Sequence, residues 1–149
     1  MVFELRDAVA ADLPALRRIF RCSSLSNEGD RELMLAHPEL VGPADEAVAE
    51  GLTRVAVAPD GMILGFATAR RLESGALELE DLFVDPDWMR RGVGRRLVAD
   101  VVARARREGI DRIEVTANPH ADAFYRRVGF VHVRETETQF GPAARMELR

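Results

Sequence analysis

The chain has 149 residues, 47% of them hydrophobic and 31% charged, and a formal net charge of −4. That balance suits one soluble globular domain spanning residues 1–149, with a proper core, and argues against a general nucleic-acid binder. No apolar run approaches the roughly 20 residues of a membrane span, and no charged-then-apolar signal segment opens the chain, so a cytoplasmic protein without membrane contact is expected.

In chain order, residues 3–6 read as a short strand. Asp12 is placed as an N-cap with Pro14 in the first helical turn, and Leu13, Leu16, Ile19 and Phe20 fall on one helical face. Cys22, the one cysteine, excludes an internal disulfide and reads as a small buried or half-buried residue. Nothing in the pattern indicates a metal cluster, so no metal is expected. Residues 23–51 are the least patterned. A short helix fits 31–36, stopped by Pro38, with Leu33, Met34 and Leu35 as packing residues and His37 in a loop. Another fits 44–50, ended by Gly51. Strands at 54–58 and 63–70 flank Asp60-Gly61, a two-residue hairpin signal. Glu73-Ser74-Gly75 then turns the chain into a strand at 77–84. There Leu77 and Leu79 share one parity and Leu82 and Val84 the other. Such a phase change predicts a bulge near Glu80 and Asp81, or else burial of both faces.

Asp85, Pro86 and Asp87 end that strand. Met89-Arg90-Arg91-Gly92-Val93-Gly94-Arg95-Arg96 follows, then Leu97, Val98, Val101, Val102 and Ala105 at helical spacing. Glycine at 92 and 94 lets backbone N–H groups approach an anion. The helix start adds its dipole and unpaired amides, and four arginines add charge-assisted hydrogen bonds. A pyrophosphate cradle fits these residues, as does a plain strand-to-helix turn with solvated arginines. A Rossmann fingerprint would need a third glycine where Leu97 stands. A Walker A loop would need lysine, and all 21 basic residues are arginine. The helix is expected over 92–107, then a parallel strand at 110–116. A short helix follows at 120–128, then strands at 131–138 and 143–148 separated by Gly141-Pro142.

The run from Met89 to Gly94 resembles the acetyl-CoA-binding motif of the GCN5-related N-acetyltransferases (GNAT family), a strand and proline turn followed by Gln/Arg-x-x-Gly-x-Gly/Ala. Met89 departs from that pattern, standing where Gln or Arg is usual. Asn118-Pro119-His120-Ala121-Asp122-Ala123-Phe124-Tyr125-Arg126-Arg127-Val128-Gly129-Phe130 resembles the family's second signature. The resemblance covers the C-terminal half well and the N-terminal half by element order. It implies a mixed, mostly antiparallel, twisted α/β sheet of six or seven strands flanked by helices, with one splayed parallel pair. It also implies acetyl-CoA as co-substrate, with the pyrophosphate on Met89, Arg90, Arg91, Gly92, Val93, Gly94 and Arg95. The pantetheine arm would lie along Leu82, Phe83 and Val84, and Asn118 would hydrogen-bond the cofactor.

Tyr125, the only tyrosine, sits at the family's general-acid position; otherwise it is a core aromatic, a place that would suit Phe124 better. Asn118 is otherwise an N-cap or turn residue. For the base, Glu80 lies at the expected bulge, while Glu78 aligns with the base of histone-acetylating members. Both glutamates could instead face solvent or pair with Arg70 or Arg112. Asp81, Glu114, His120, Asp122 and an ordered water are further options. The reading is direct transfer to a primary amine of a small molecule in a ternary complex. Its rivals are a protein N-terminal or lysine acetyltransferase and a non-catalytic acyl-CoA-binding domain. Residues 23–51 would form one wall of the acceptor cleft, and the resemblance leaves room for a homodimer.

Overall fold

The computed structural model describes residues 2–26, 45–138 and 141–149, with the side chains of residues 23–26 left aside. The segment expected to be helical at 31–36, with His37, lies outside the described residues. Seven strands are described: Glu4–Asp7 (β1), Thr53–Val57 (β2), Ile63–Arg71 (β3), Leu77–Val84 (β4), Ile113–Ala117 (β5), Val131–Thr138 (β6) and Gly141–Leu148 (β7). They form a mixed sheet in the order β1-β2-β3-β4-β5-β7-β6, with β4 and β5 parallel. The helices described are Leu13–Ser26 (α1), Asp45–Ala49 (α2), Val93–Arg107 (α3) and Asp122–Arg127 (α4). The residues cluster into two compact units, 1–68 with 81–97 and 69–80 with 98–149.

In the first unit the expected helical stripe is the core. Leu16 and Ile19 of α1 are buried with Val48, Val55, Ile63 and Phe66, and Leu13, Phe20 and Phe83 pack against them. Asp12 is not the N-cap that the sequence suggests. The chain enters α1 through a short 3-10 turn at Ala10–Asp12, and the Asp12 carboxylate reaches back to accept the Val9 N–H at 2.9 Å. Its hydrogen bond from Arg6, 2.8 Å long, leads the effects that hold the Asp12 carboxyl below its usual range. Cys22 is exposed, two residues past Phe20 at the end of the stripe, and not the buried or half-buried residue expected. α2 ends in a Schellman motif: Leu52 N–H bonds Ala47 C=O, Gly51 N–H bonds Val48 C=O, and Gly51 has φ +75°.

The hairpin between β2 and β3 has a three-residue loop, not two. Ala58 N–H bonds Met62 C=O and Gly61 N–H bonds Ala58 C=O, with Gly61 at φ +90°. Pro59 sets the first corner of the turn and the left-handed glycine returns the strand. The link between β3 and β4 repeats this geometry from Leu72 to Ala76, with Gly75 at φ +91°. Gly65 on β3 lies under the end of β4: a Cβ there would sit 2.8 Å from the Phe83 carbonyl oxygen and 3.3 Å from the Val84 Cα. Only glycine admits so close a backbone.

In the second unit, Leu77 and Leu79 of β4 pair with Ile113 and Val115 of β5 in parallel register, all four buried. β5 starts at Ile113, not at 110, because the Ile110 N–H closes α3 by bonding Ala105 C=O behind Gly109. β7 begins at Gly141 and includes Pro142, which pairs only with Glu137 of β6, since β5 joins β7 from Ala144 onward. That placement needs no ladder N–H from the proline. β6 is the edge strand, its exposed row broken by a register shift between His132 and Arg134 and crowded with charge, which discourages edge-to-edge pairing.

On the polar side of the parallel pair, Arg145 of β7 bonds Glu78 on β4 through both terminal nitrogens (2.9 and 2.8 Å), and Glu114 and Thr116 on β5 (2.6 and 2.7 Å). Arg112 adds a 2.8 Å bond to Glu114. Burial of Glu114 would raise its pKa, but the hydrogen bonds from Arg145 and Arg112 outweigh it and the carboxyl is lowered. The lowered pKa is a stabilising contribution, complete above the unfolded-state value near 4.3 and lost as pH falls through the folded one. Glu114→Gln is therefore expected to cost about 1–3 kcal/mol at pH 7. In urea melts the gap to wild type should shrink below about pH 4.5; a gap unchanged down to pH 3 would mean the charge carries no stability.

Candidate functional site

β4 ends at Val84 and the Asp85 N–H turns back to donate to Leu64 C=O at 2.8 Å. Asp85 is buried, and its carboxylate accepts the Asp87 N–H at 3.0 Å, capping a 3-10 turn at Pro86–Trp88. Met89, Arg90, Arg91 and Gly92 then run exposed into α3. Arg90 has φ +63°, the one non-glycine with positive φ among the described residues, and Gly92 has φ +83°. φ is positive at Arg90, not at Arg91, and positive again at Gly92, an alternation that suits an anion nest. A Cβ on Gly92 would meet nothing within 4 Å, so the backbone there is open to a ligand. Helix geometry leaves the first N–H groups of α3 without intrahelical acceptors, and the Arg96 N–H closes the first turn on Gly92 C=O at 3.0 Å.

Of the loop arginines, Arg91 lies over the Trp88 ring at 5.1 Å and Arg96 over Phe3 at 5.2 Å, while Arg90 and Arg95 are exposed. Val93 is buried and anchors the helix start, and Gly94 is half-buried. On β4, Asp81, Leu82, Phe83 and Val84 are all half-buried. Phe83 meets Phe20 edge-on at 4.8 Å and Phe66 at 5.5 Å. Both parities of the strand are thus partly covered.

The other candidates lie in the second unit. Glu78 is held at both oxygens by Arg145, and Glu80 is exposed with one 2.8 Å bond from Arg70 Nε. The Asn118 side-chain oxygen accepts the Ala121 N–H at 3.0 Å, so it caps the turn into α4; its two amide hydrogens are separate donors. Tyr125, and not Phe124, takes the buried position, with ring centroids 5.3 Å from both Phe124 and Phe130. Gly129, at φ +109°, ends α4 in a Schellman motif that bonds Phe130 N–H to Tyr125 C=O, setting the two rings together. His120 is exposed and Asp122 pairs with Arg126 at 2.7 Å. Among the described residues no group of three or more potential ligands could hold a metal ion.

The sequence reading missed Arg145 and Arg18. Arg145 lies 67 residues from Glu78, and Arg18 lies 67 residues from Asp85. The available signal was weak: an arginine on the polar parity of a strand, and an arginine beside the apolar stripe of a helix.

A family model described as the acetyltransferase (GNAT) family matches residues 13–130. The chain belongs to the GNAT acetyltransferase family. The uncharacterized N-acetyltransferase ycf52 of Gracilaria tenuistipitata var. liui is 32% identical over 69 residues, 46% of this chain and 38% of that protein. The chain thus matches under two fifths of that curated relative's length. Among solved structures it is similar to the paia N-acetyltransferase of Thermoplasma acidophilum in complex with coenzyme A, with TM-score 0.80 at 19% identity over 100% of this chain and 99% of that one. It is also similar to the ribosomal-protein-S18-alanine N-acetyltransferase of Escherichia coli, with TM-score 0.72 at 20% identity over 99% and 93% of the two chains. Both likenesses are of fold, and both agree with the GNAT architecture of the sheet.

In this GNAT chain Gly92 is the loop glycine with a left-handed backbone. Gly92→Val would strain the backbone and set a branched side chain where an anion would approach. Coenzyme A affinity by calorimetry should fall more than about tenfold, or about 1.4 kcal/mol. Unchanged affinity would remove the loop from the binding site.

Proposed function

We propose that the chain is a single-domain, acetyl-CoA-dependent N-acetyltransferase acting on a primary amine of a small molecule by direct attack in a ternary complex. The observation that carries this reading is the exposed loop from Arg90 to Arg95, where two left-handed residues, a helix start and flanking arginines converge. Its donors suit a pyrophosphate, with Met89 to Arg95 as the binding residues. Leu82, Phe83 and Val84 would lie along the pantetheine arm, with Asn118 as a further donor to the cofactor. No helix among the described residues is long and apolar enough to cross a membrane, and the cytoplasm is the proposed setting.

When bound, acetyl-CoA supplies a thioester carbonyl and a thiolate leaving group. Backbone N–H groups near the end of β4 would stabilise the tetrahedral oxyanion. The amine nitrogen would form its bond to the carbonyl carbon and pass its proton to solvent, the carbon–sulfur bond would break, and the thiolate would take a proton from the Tyr125 hydroxyl, which solvent then reprotonates. Tyr125→Phe is therefore expected to lower kcat by a factor on the order of 10² while the cofactor Kd stays near wild type. An unaltered kcat, with chemistry limiting turnover, would give the proton donation to another group. Because the chain has no lysine, CoA release in an amine-library screen is free of lysine self-acetylation, and Cys22→Ser removes the exposed thiol as a competing acceptor.

For the base we favour Glu80 over Glu78. Glu78 is engaged at both oxygens by Arg145, whereas exposed Glu80 receives one bond from the half-buried Arg70. An alkylammonium of pKa near 10.4 must lose its proton before attack. Glu80→Gln should depress kcat/KM mainly at neutral pH, with activity returning as rising pH supplies free amine. A loss equal at every pH would make Glu80 a binding residue, and no loss would move the role to Glu78 or a water.

A further inference from the structure

Beyond that reading, and resting on it for what the loop binds, we infer that Arg18 of α1 is a positioning residue for the cofactor loop, acting through the buried carboxylate of Asp85. Every polar group of Asp85 is engaged. Its N–H donates to Leu64 C=O and its C=O accepts from Trp88 N–H, both at 2.8 Å. One carboxylate oxygen accepts the Asp87 N–H at 3.0 Å, and the other accepts Arg18 Nη1 at 3.2 Å. The residue is thereby locked to β3, to the 3-10 turn and to α1.

What the turn carries is the anion loop. Trp88 closes the turn and supports the Arg91 guanidinium at 5.1 Å. Arg90 and Gly92, the two left-handed residues, follow two and four positions after Trp88. Asp85 therefore sets the direction in which those amides leave the sheet.

The carboxylate also poses an electrostatic problem that Arg18 solves. Asp85 is a negative charge with 6% of its side chain exposed, just before a loop built to attract phosphate. Buried charge without a partner is strongly unfavourable and recruits whatever cation can reach it. Without Arg18, Asp85 would compete with phosphate for the loop arginines. Arg18 is 47% exposed, so its removal empties little of the core. Phe20, two residues on, seats α1 on Phe83 independently at 4.8 Å, which keeps the helix in place when the ion pair is cut.

The test compares coenzyme A with S-acetylpantetheine, which lacks the pyrophosphate. Arg18→Met keeps most of the apolar stem and removes the charge. Coenzyme A affinity by calorimetry should fall about tenfold, equivalent to about 1.4 kcal/mol. S-acetylpantetheine affinity by ligand-observed NMR should stay within about twofold, and the thermal midpoint near wild type. Arg18→Lys should restore most of the loss. In the background of Asp85→Asn, which removes the charge but retains an acceptor for the Asp87 N–H, Arg18→Met should add little. Equal weakening of both ligands, or coenzyme A affinity at the wild-type level in Arg18→Met, would overturn the inference. Wild-type protein that binds neither ligand would overturn the acetyl-CoA reading itself, a separate result.

Discussion

The end of β4 passes over β3 with no room for a side chain between them. Gly65 is the constraint: its missing Cβ lets the Phe83 carbonyl and the Val84 Cα come within contact distance of the β3 backbone. The Asp85 N–H then bonds Leu64 C=O, one residue away on the same strand. These two backbone contacts decide where the strand stops and which way the chain turns. The 3-10 turn, the left-handed pair at Arg90 and Gly92, and the start of α3 follow in sequence from that exit. Phe83, wedged between Phe20 and Phe66, adds an aromatic lock on the same residues.

Charge in this chain is organised around guanidinium. With arginine as its only strong cation, the chain can use one side chain to bridge several carboxylates, as a planar five-donor fork allows and an ammonium does not. Arg145 spans β4, β5 and β7 in this way, at 17% exposure, where solvent screening is reduced. Arg17–Asp45, Arg54–Asp7 and Arg126–Asp122 are exposed pairs that contribute little to stability. The distinction matters for Glu78 and Glu80. One belongs to the bridged network and the other to a surface pair, although both stand on the same strand two residues apart.

Much of the architecture was legible because it rests on local patterns. The stripe Leu13, Leu16, Ile19 and Phe20 is the packed face of α1, and Leu97, Val98, Val101 and Ala105 are buried on α3. Glycines at 51, 109 and 129 stop helices through left-handed backbone, as glycine after an apolar run suggests. The boundaries that moved did so where a backbone group had a competing partner. Ile110 was drawn into the cap of α3 and out of β5, and Asp12 served the 3-10 turn and Arg6 instead of capping α1. Tyr125 took the core position that the sequence suited better to Phe124, because Phe130 folds back onto it behind Gly129.

What the sequence determined by itself was the kind and order of most of its elements and the glycine- and arginine-rich turn that opens α3. Each of these follows from residues within about one helical turn or one strand of each other: glycine for left-handed backbone, proline for a turn, alternating apolar positions for a face. Only the tertiary structure decided the partners of the charged groups. Whether Glu78 is bound by Arg145, Glu80 by Arg70 or Asp85 by Arg18 depends on strands and helices far apart in the chain being brought together. Local sequence carries no term for that, because an arginine's reach is set by where its backbone is carried and not by its neighbours along the chain.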